Sequence, residues 1–459
     1  MNAAANIKKI ILLLGDALAL TTALIVAIVL RYPGREMTSG LLQIHFVPFG
    51  ALFILWIIVF YVYNLYDLRY MENSALFFGI AAQAFTLNAL LAIAFFYFNP
   101  YVSITPRTVL FIDIALSAIL FGAWRVLFNK ALAKKLITNL ALVSISPSMI
   151  SLAKELIEKP ALGYRISAFI SGDGASLPKD LAHIPLMSIE AFKKHIAQHP
   201  PEGATTVIVE KHFVQTRDHA QLLFSLLPAQ LTFRTLPSFI EHVFQKVPLS
   251  EVSESWFLEN LSEGDKRFHE RAKRLCDIIG AMALGVVTLP LMALVALGIK
   301  LEDGRNVFYR QMRLGADGKK FSLLKFQSMV ADAEVAGPQW TKKNDPRVTR
   351  FGTFLRSTRL DELPQLWNVL KGDLSFIGPR PERPEFIQKL ENEIPFYALR
   401  HLVRPGLSGW AQINNPLHSV AESYEKLEYD LFYIKNRSLA LDAAIALKTI
   451  SIILRRRGR

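Results

Sequence analysis

The chain has 459 residues, 52% of them hydrophobic, with a mean hydropathy of +0.28. That balance points away from a single soluble domain and toward a membrane protein of several units. The formal charge of +13 suits either nucleic acid or an anionic lipid surface, and the apolar segments favour lipid. One cysteine, Cys276, excludes an intrachain disulfide and a Cys-cluster metal site, and its expected role is a buried structural thiol.

Four stretches, at about 10–30, 46–65, 75–98 and 108–124, reach the ~20 apolar residues needed to cross a bilayer core. The first is too long for a signal peptide and lacks a small-residue cleavage site, so it is expected to stay in the protein. Lys8 and Lys9 precede it, and Arg125, Lys130, Lys134 and Lys135 follow the fourth, which places both ends in the cytoplasm. Arg31 and Arg35, in the first external loop, run against that count. Asp16 and Asp113 lie inside spans, where they mark either a transport path or polar packing between helices. Two lone acids favour packing.

From 137 to 248, short β-branched runs (140–143, 165–170, 205–210, 231–236) alternate with amphipathic helical patterns (148–158, 188–199, 217–227). The alternation predicts a parallel sheet covered by helices. A nucleotide in such a fold sits on a glycine-rich turn after the first strand. Here that turn is Ser144-Ile145-Ser146-Pro147-Ser148, without glycine, so the domain is expected to bind no nucleotide and to serve a structural, regulatory or oligomerising role. Residues 249–272 read as a polar connection. His212, His242 and His269 have no partner at metal-ligand spacing.

A fifth apolar stretch, 276–299, is interrupted by Pro290, which removes a helix hydrogen bond and bends the segment. Cations flank both of its ends: Arg267, Arg271, Lys273 and Arg274, then Lys300, Arg305, Arg310 and Arg313. Both flanks therefore prefer one side of the membrane, as a helix that dips into one leaflet and returns would allow. A fifth, kinked spanning helix is the alternative.

The chemistry is concentrated in 347–384. Residues 341–360 carry Lys342, Lys343, Arg347, Arg350, Arg356 and Arg359 against the single acid Asp345. Asp361 and Glu362 follow. Pro364 is tolerated only in a helix's first turn, so the helix bearing Leu366, Trp367 and Leu370 starts close to 361–363, and Gly372 ends it. An acid pair at a helix start behind a run of cations suits a diphosphate, although helix capping by Asp361 accounts for the same pattern. Arg380 stands between Pro379 and Pro381, whose fixed backbone aims its guanidinium with little entropy left to lose. The apolar run 441–454 before Arg455-Arg456-Arg457-Gly458-Arg459 reads as a helix lying on anionic lipid or as a solubilising tail.

These residues carry a resemblance. Val307-Phe308-Tyr309-Arg310-Gln311, Leu324-Lys325-Phe326-Gln327-Ser328-Met329, Asp332-Ala333-Glu334, Leu360-Asp361-Glu362-Leu363-Pro364-Gln365, Gly378-Pro379-Arg380-Pro381 and Arg404-Pro405-Gly406-Leu407-Ser408-Gly409-Trp410 stand in order over 268–459. Together they resemble the bacterial sugar transferase family, whose members are monotopic phosphoglycosyl transferases. The spans and α/β domain are similar to its large form, the polyprenyl-phosphate hexose-1-phosphate transferases.

The resemblance implies transfer of a sugar-1-phosphate from a UDP-sugar to undecaprenyl phosphate with release of UMP, by a ping-pong route, at the start of exopolysaccharide, capsule or O-antigen synthesis. It implies Mg²⁺, with Asp361 as nucleophile and metal neighbour and Glu362 holding the metal. Arg356, Arg380 and Lys325 are the expected phosphate contacts. It also favours a re-entrant helix broken at Pro290, with catalysis on the cytoplasmic face of a bacterial inner membrane. Two positions depart from the family pattern. Leu289 stands where many members have serine, and Gln327 where the usual motif has arginine, which puts a phosphate role for 327 in doubt.

The predicted fold class is membrane α plus α/β. A four-helix membrane domain covers 1–134, a degenerate Rossmann-like domain 135–248, a linker 249–272, a re-entrant helix 273–300 and a mainly α monotopic catalytic domain 301–459. Rival readings are a membrane-bound nucleotide-sugar dehydratase or epimerase, which needs a glycine fingerprint and a Tyr-x-x-x-Lys pair that the middle domain lacks, and a non-catalytic scaffold of polysaccharide assembly. Nucleic acid is set aside because the positive charge tracks the membrane flanks. Oligomeric state is not fixed by the sequence, and a homodimer is one expectation.

Overall fold

A computed structural model describes residues 3–34, 39–66, 74–98, 107–132, 137–171, 176–198, 205–210, 213, 221, 223–229, 231–261, 266–304, 306–330, 333, 337, 345–415 and 420–454. The chain divides into two compact units, Met1–Val243 and Phe244–Arg459.

In the first unit the four apolar stretches form α1 (Ala3–Arg31), α2 (Ser39–Val62), α3 (Ala75–Phe98) and α4 (Arg107–Leu127). Each contains a span long and apolar enough to cross a membrane, and a helix satisfies its own peptide groups where no water can. Gly15 lets α1 close on Trp124 of α4, since a Cβ there would stand 2.0 Å from the indole ring. Beside it Asp16 pairs with Arg125 at 2.5 Å, both side chains fully buried. Arg125 also donates to the Leu65 carbonyl at 2.8 Å and lies over the Phe121 ring at 4.7 Å. Asp16 is thus a packing contact, as favoured from sequence. Arg125, counted above as a flanking cation, is instead inside the bundle and neutralised. Asp113 is buried and accepts from the Ser117 hydroxyl at 3.5 Å. Arg35, Lys134 and Lys135 lie outside the described residues.

The α/β part of this unit contains β1 (Thr138–Val143), α5 (Pro147–Glu158), β2 (Tyr164–Ile170), β3 (Leu186–Met187), α6 (Ile189–Gln198), β4 (Thr205–Val209) and β5 (Thr232–Thr235). The strands are all parallel, in the order β3-β2-β1-β4-β5. Ala141, Val143, Ile170 and Val207 are buried in its core, as strands covered by helices require. Of the helix predicted at 217–227, residues 217–220 and 222 fall outside the described residues, as does His212. The strand order reverses between β1 and β4, where this architecture receives ligands. There Ser146 caps α5 by accepting from the Met149 amide at 3.1 Å and donates to the Glu210 carboxylate. A protein carboxylate therefore stands where a phosphate would approach. Ser144, in the turn itself, adopts φ 98° without being glycine.

The second unit begins with the segment predicted to be only a connection. Leu249 and Phe257 are in fact buried with Trp410, Leu431, Tyr433 and Ile434, so the stretch around α7 (Glu254–Asn260) belongs to the core of the second unit. Next comes α8 (Arg267–Asp303), a 37-residue helix that runs through Pro290, so the break expected there does not occur: the proline ring removes one backbone hydrogen bond and the helix continues. Its outer face, including Val286, Val287, Leu289 and Leu294, is exposed. Cys276 is on that face too, which corrects the expected buried thiol: neighbours Lys273 and Asp277 take the inward positions.

Both halves of α8 are fastened to the same small domain. Arg274 donates to the carbonyls of Val369 and Leu370 at 2.5 and 2.7 Å, and Asp277 accepts from the Ser375 hydroxyl and Phe376 amide, each at 3.1 Å. Near the other end Glu302 accepts from the Thr349 hydroxyl at 3.0 Å and the Phe351 amide at 3.2 Å. Ala281 clusters with Leu366 and Val369, while Leu360 and Leu363 pack on the cluster of Val295, Ile299 and Leu355.

The remainder comprises the hairpin β6 (Phe308–Leu314) and β7 (Lys320–Phe326), α9 (Arg350–Ser357), a 3-10 turn (Leu360–Gln365), α10 (Leu366–Lys371), β8 (Ser375–Ile377), α11 (Pro384–Glu393), β9 (Gly406–Ser408), α12 (Trp410–Asn414), α13 (Val420–Asn436) and α14 (Leu439–Leu454). The glycines of two quoted motifs let β8 and β9 meet. A Cβ on Gly406 would stand 2.1 Å from the Gly378 nitrogen, and one on Gly378 2.4 Å from the Arg404 carbonyl oxygen. Helix α14, read from sequence as a lipid-surface helix or a solubilising tail, packs one face into the domain. Ile445 is fully buried, and Asp442 accepts from His269 and Lys273, each at 3.0 Å, and from Tyr433 at 2.8 Å. Among the described residues its exposed large apolar side chains are Leu439, Ile450 and Ile453. Arg455–Arg459 lies outside the described residues.

Candidate active site

The acid pair sits in the first turn of the 3-10 segment, which runs directly into α10 and is closed by Gly372 at φ 94°. Arg359, immediately before it, takes a left-handed φ of 60° and so turns the chain from α9 into the pair. Asn368 of α10 accepts from the Leu324 amide at 3.0 Å and donates to the Ser322 carbonyl at 2.7 Å, fixing β7 alongside. That register brings Lys325 to the dyad.

Three cations converge on one oxygen. Glu362 Oε1 lies 3.2 Å from Arg380, 3.7 Å from Lys325 and 3.7 Å from Arg359. Burial pushes the Glu362 carboxyl upward, but the charges of Arg380, Lys325 and Arg359 outweigh it and hold the group at about 2. Burial lowers the Lys325 ammonium to about 8, against the pull of Glu362. Asp361 is different. It is 7% exposed, its Oδ1 is buried with no hydrogen-bond partner, and burial together with the Glu362 charge raises its carboxyl despite Lys325, Arg356 and Arg359. One acid is locked into an ionic cluster; its neighbour is left desolvated, with one carboxylate oxygen that no protein group satisfies.

The structure therefore brings Lys325 and Arg380 into ion-pair contact with Glu362, and Asp361, the preceding residue, feels the charge of Lys325. Arg356 joins them through its charge, its Nε donating to the Ser328 hydroxyl at 3.0 Å. Gln327 turns its amide to the Met329 carbonyl at 3.0 Å, a backbone tie. Lys342 and Lys343 lie outside the described residues. Sequence reasoning left out of the site Arg359, counted only among the cations, and Gln365, whose buried amide Nε2 is unpartnered four residues after Asp361. A third polar side chain in the same six-residue turn as the acids was the available signal.

Among the described residues no three His, Cys, Asp or Glu side chains group to hold a metal. The dyad nonetheless fits Mg²⁺, which takes one or two carboxylates and completes its shell with waters and substrate phosphates. Asp361 Oδ1 is an open acceptor, and the ion pairs described for Glu362 all fall on Oε1.

Residues 268–456 match the model of the bacterial sugar transferase family. The chain is 32% identical to the UDP-galactose-lipid carrier transferase of Erwinia amylovora over 364 residues, 72% of each protein. It is 47% identical to the UDP-N-acetylgalactosamine-undecaprenyl-phosphate N-acetylgalactosaminephosphotransferase of Aeromonas hydrophila over 183 residues, 40% of this chain and 43% of the relative. With the UDP-glucose:undecaprenyl-phosphate glucose-1-phosphate transferase of Xanthomonas campestris pv. campestris it shares 42% identity over 187 residues, 40% of this chain and 39% of the relative. The match to the last two relatives thus spans under half of their length, whereas the first extends over 72% of both proteins, and on that match the chain belongs to the bacterial sugar transferase family.

Proposed function

We propose that this protein transfers a hexose-1-phosphate from a UDP-sugar to undecaprenyl phosphate, giving undecaprenyl diphosphate-sugar and UMP, as the first step of exopolysaccharide, capsule or O-antigen synthesis. The observation that carries the reading is the desolvated, unpartnered Asp361 Oδ1 beside a cluster of cations. In this mechanism Asp361 Oδ1 attacks the phosphorus bonded to the sugar, and the bond from that phosphorus to the bridging oxygen breaks, so that UMP leaves with the electron pair. An oxygen of undecaprenyl phosphate then attacks the aspartyl phosphosugar and the carboxylate is regenerated. Splitting the transfer this way replaces one difficult step by two easier ones. Arg380, Lys325 and Arg356 bind the phosphoryl oxygens, and Glu362 keeps the first two in place. When bound at the dyad, Mg²⁺ supplies further neutralisation of the diphosphate.

The names of the three relatives support the substrate classes. A helix fastened at both ends to one catalytic body supports re-entrance of α8. On a straight helix Ala281 and Val295 would be about 21 Å apart, yet they belong to clusters that take up Leu366 and Leu363, three residues apart. The catalytic unit then stays on the cytoplasmic face of the inner membrane.

Purified protein supplied with Mg²⁺, undecaprenyl phosphate and a panel of UDP-sugars is expected to release UMP with one of them, and the sugar keeps its anomeric configuration because its C–O bond is never cut. Release of UDP, or inversion, rejects the mechanism. The pH dependence is a second check. Asp361 must be ionised and Lys325 protonated, so kcat/KM falls on the acid side above the usual carboxylate range and on the basic side near pH 8, the lowered value of Lys325. Lys325→Arg should move the basic limb upward and leave the acid limb in place.

A further inference from the structure

The loop that aims Arg380 has an unusual problem. Pro379 and Pro381 have no N–H, so neither can be held as a donor, and the loop can be fastened there only by its carbonyls. All four in succession are held. The Pro379 carbonyl accepts from the Gly406 amide at 2.9 Å, and that of Glu382 from the Leu314 amide at 3.2 Å. Between them Arg400 donates to the Arg380 carbonyl at 3.0 Å and Arg313 to the Pro381 carbonyl at 3.0 Å. The two outer fastenings are backbone; the two central ones are arginine side chains.

Arg400 is 7% exposed and is itself set from two sides, by Asp430 at 2.9 Å and by the Tyr397 hydroxyl. Asp430, on α13, is 1% exposed. A buried guanidinium is costly unless its charge is matched and its donors are used, and here the matching acid and the carbonyl take up one nitrogen between them. Truncating Arg400 would release the Arg380 backbone, and would do so within reach of the dyad, since the same residue's guanidinium is 3.2 Å from Glu362.

We infer that Arg400, held by Asp430 and Tyr397, is a positioning residue that acts on the proposed reaction through Arg380 by fixing its main chain. The inference rests on the reaction proposed above for its kinetic consequences, but its structural content does not.

The test is a double-mutant cycle on UMP release together with amide hydrogen exchange of the peptide covering 377–386 in the full-length protein. Arg400→Gln is expected to lower kcat/KM on the order of 100-fold, the loss that accompanies a small misplacement of a charge-stabilising group. In an Arg380→Ala background the same change is expected to cost less than about twofold, because the group it positions is gone. Exchange across 377–386 should accelerate in Arg400→Gln while exchange in β6, β7 and α13 is unchanged. Asp430→Asn, which leaves Arg400 in place with a neutral acceptor, should show a smaller effect of the same pattern and guards against a variant that does not fold. Two losses that simply multiply, or an unaltered exchange rate in the loop, overturn the inference. Absence of UMP release by the wild type rejects the proposed reaction instead, and the exchange measurement still decides the positioning.

Discussion

Replacing Asp361 by asparagine is expected to abolish UMP release, by on the order of 10⁴-fold or more, as removal of a covalent nucleophile does in other enzymes. Asparagine keeps the size and one oxygen of the side chain but loses the negative charge that would bond to phosphorus. The site is built around that charge. Asp361 is buried without a hydrogen bond to Oδ1, so its ionised form is poorly solvated and correspondingly reactive once neighbouring cations bring a phosphate to it. Because burial raises the carboxyl, the neutral variant should fold at least as stably as the wild type, and its melting temperature should not fall. Trapping a phosphosugar on Asp361 with wild-type enzyme in the absence of undecaprenyl phosphate checks the same claim from the other side. Activity surviving in Asp361→Asn would end the covalent mechanism.

The second large effect is expected at Arg380. Its guanidinium is the nearest cation to Glu362, at 3.2 Å, ahead of Lys325 and Arg359. Arg380→Ala should lower kcat/KM by about 10²- to 10³-fold, the usual cost of one preorganised donor at developing charge. It has a separate signature in stability. The folded value of Glu362 is about 2, below its ordinary 4.5, so its ionisation stabilises the fold above about pH 4.5 and this contribution is lost as pH falls toward 2. Without Arg380 the folded value rises toward the ordinary one, and the acid sensitivity of the variant between those limits should shrink. A melting-temperature series across that range measures it, and a profile parallel to the wild type's contradicts the assignment.

Much of the architecture was legible in residue order because it rests on local rules. Apolar length gave α1 to α4, alternation of β-branched runs with amphipathic helices gave the parallel sheet, and Pro364 with Gly372 bracketed the turn that carries the acids. Residues whose role depends on distant partners were not legible. Arg125 looked like a flanking cation because nothing in its neighbourhood announces Asp16, 109 positions away. Cys276 and its inward-facing neighbours cannot be told apart until α8 is given a face to pack. The segment after Pro248 reads as polar although Leu249 and Phe257 enter the core, and nothing along α14 announces that its Asp442 is tied to α8 and α13.

The sequence by itself determined the class of protein, the order of its parts, the family resemblance and the residue types at the dyad, since hydropathy, proline and glycine constraints and ordered motifs all act over short stretches. Only the tertiary structure decided that two adjacent acids have opposite fates, one neutralised by three cations and one left desolvated, and that side chains as far along as Arg400 hold the loop bearing Arg380. Those outcomes depend on burial and on charges brought together from separate segments, and neither quantity exists until the chain has folded.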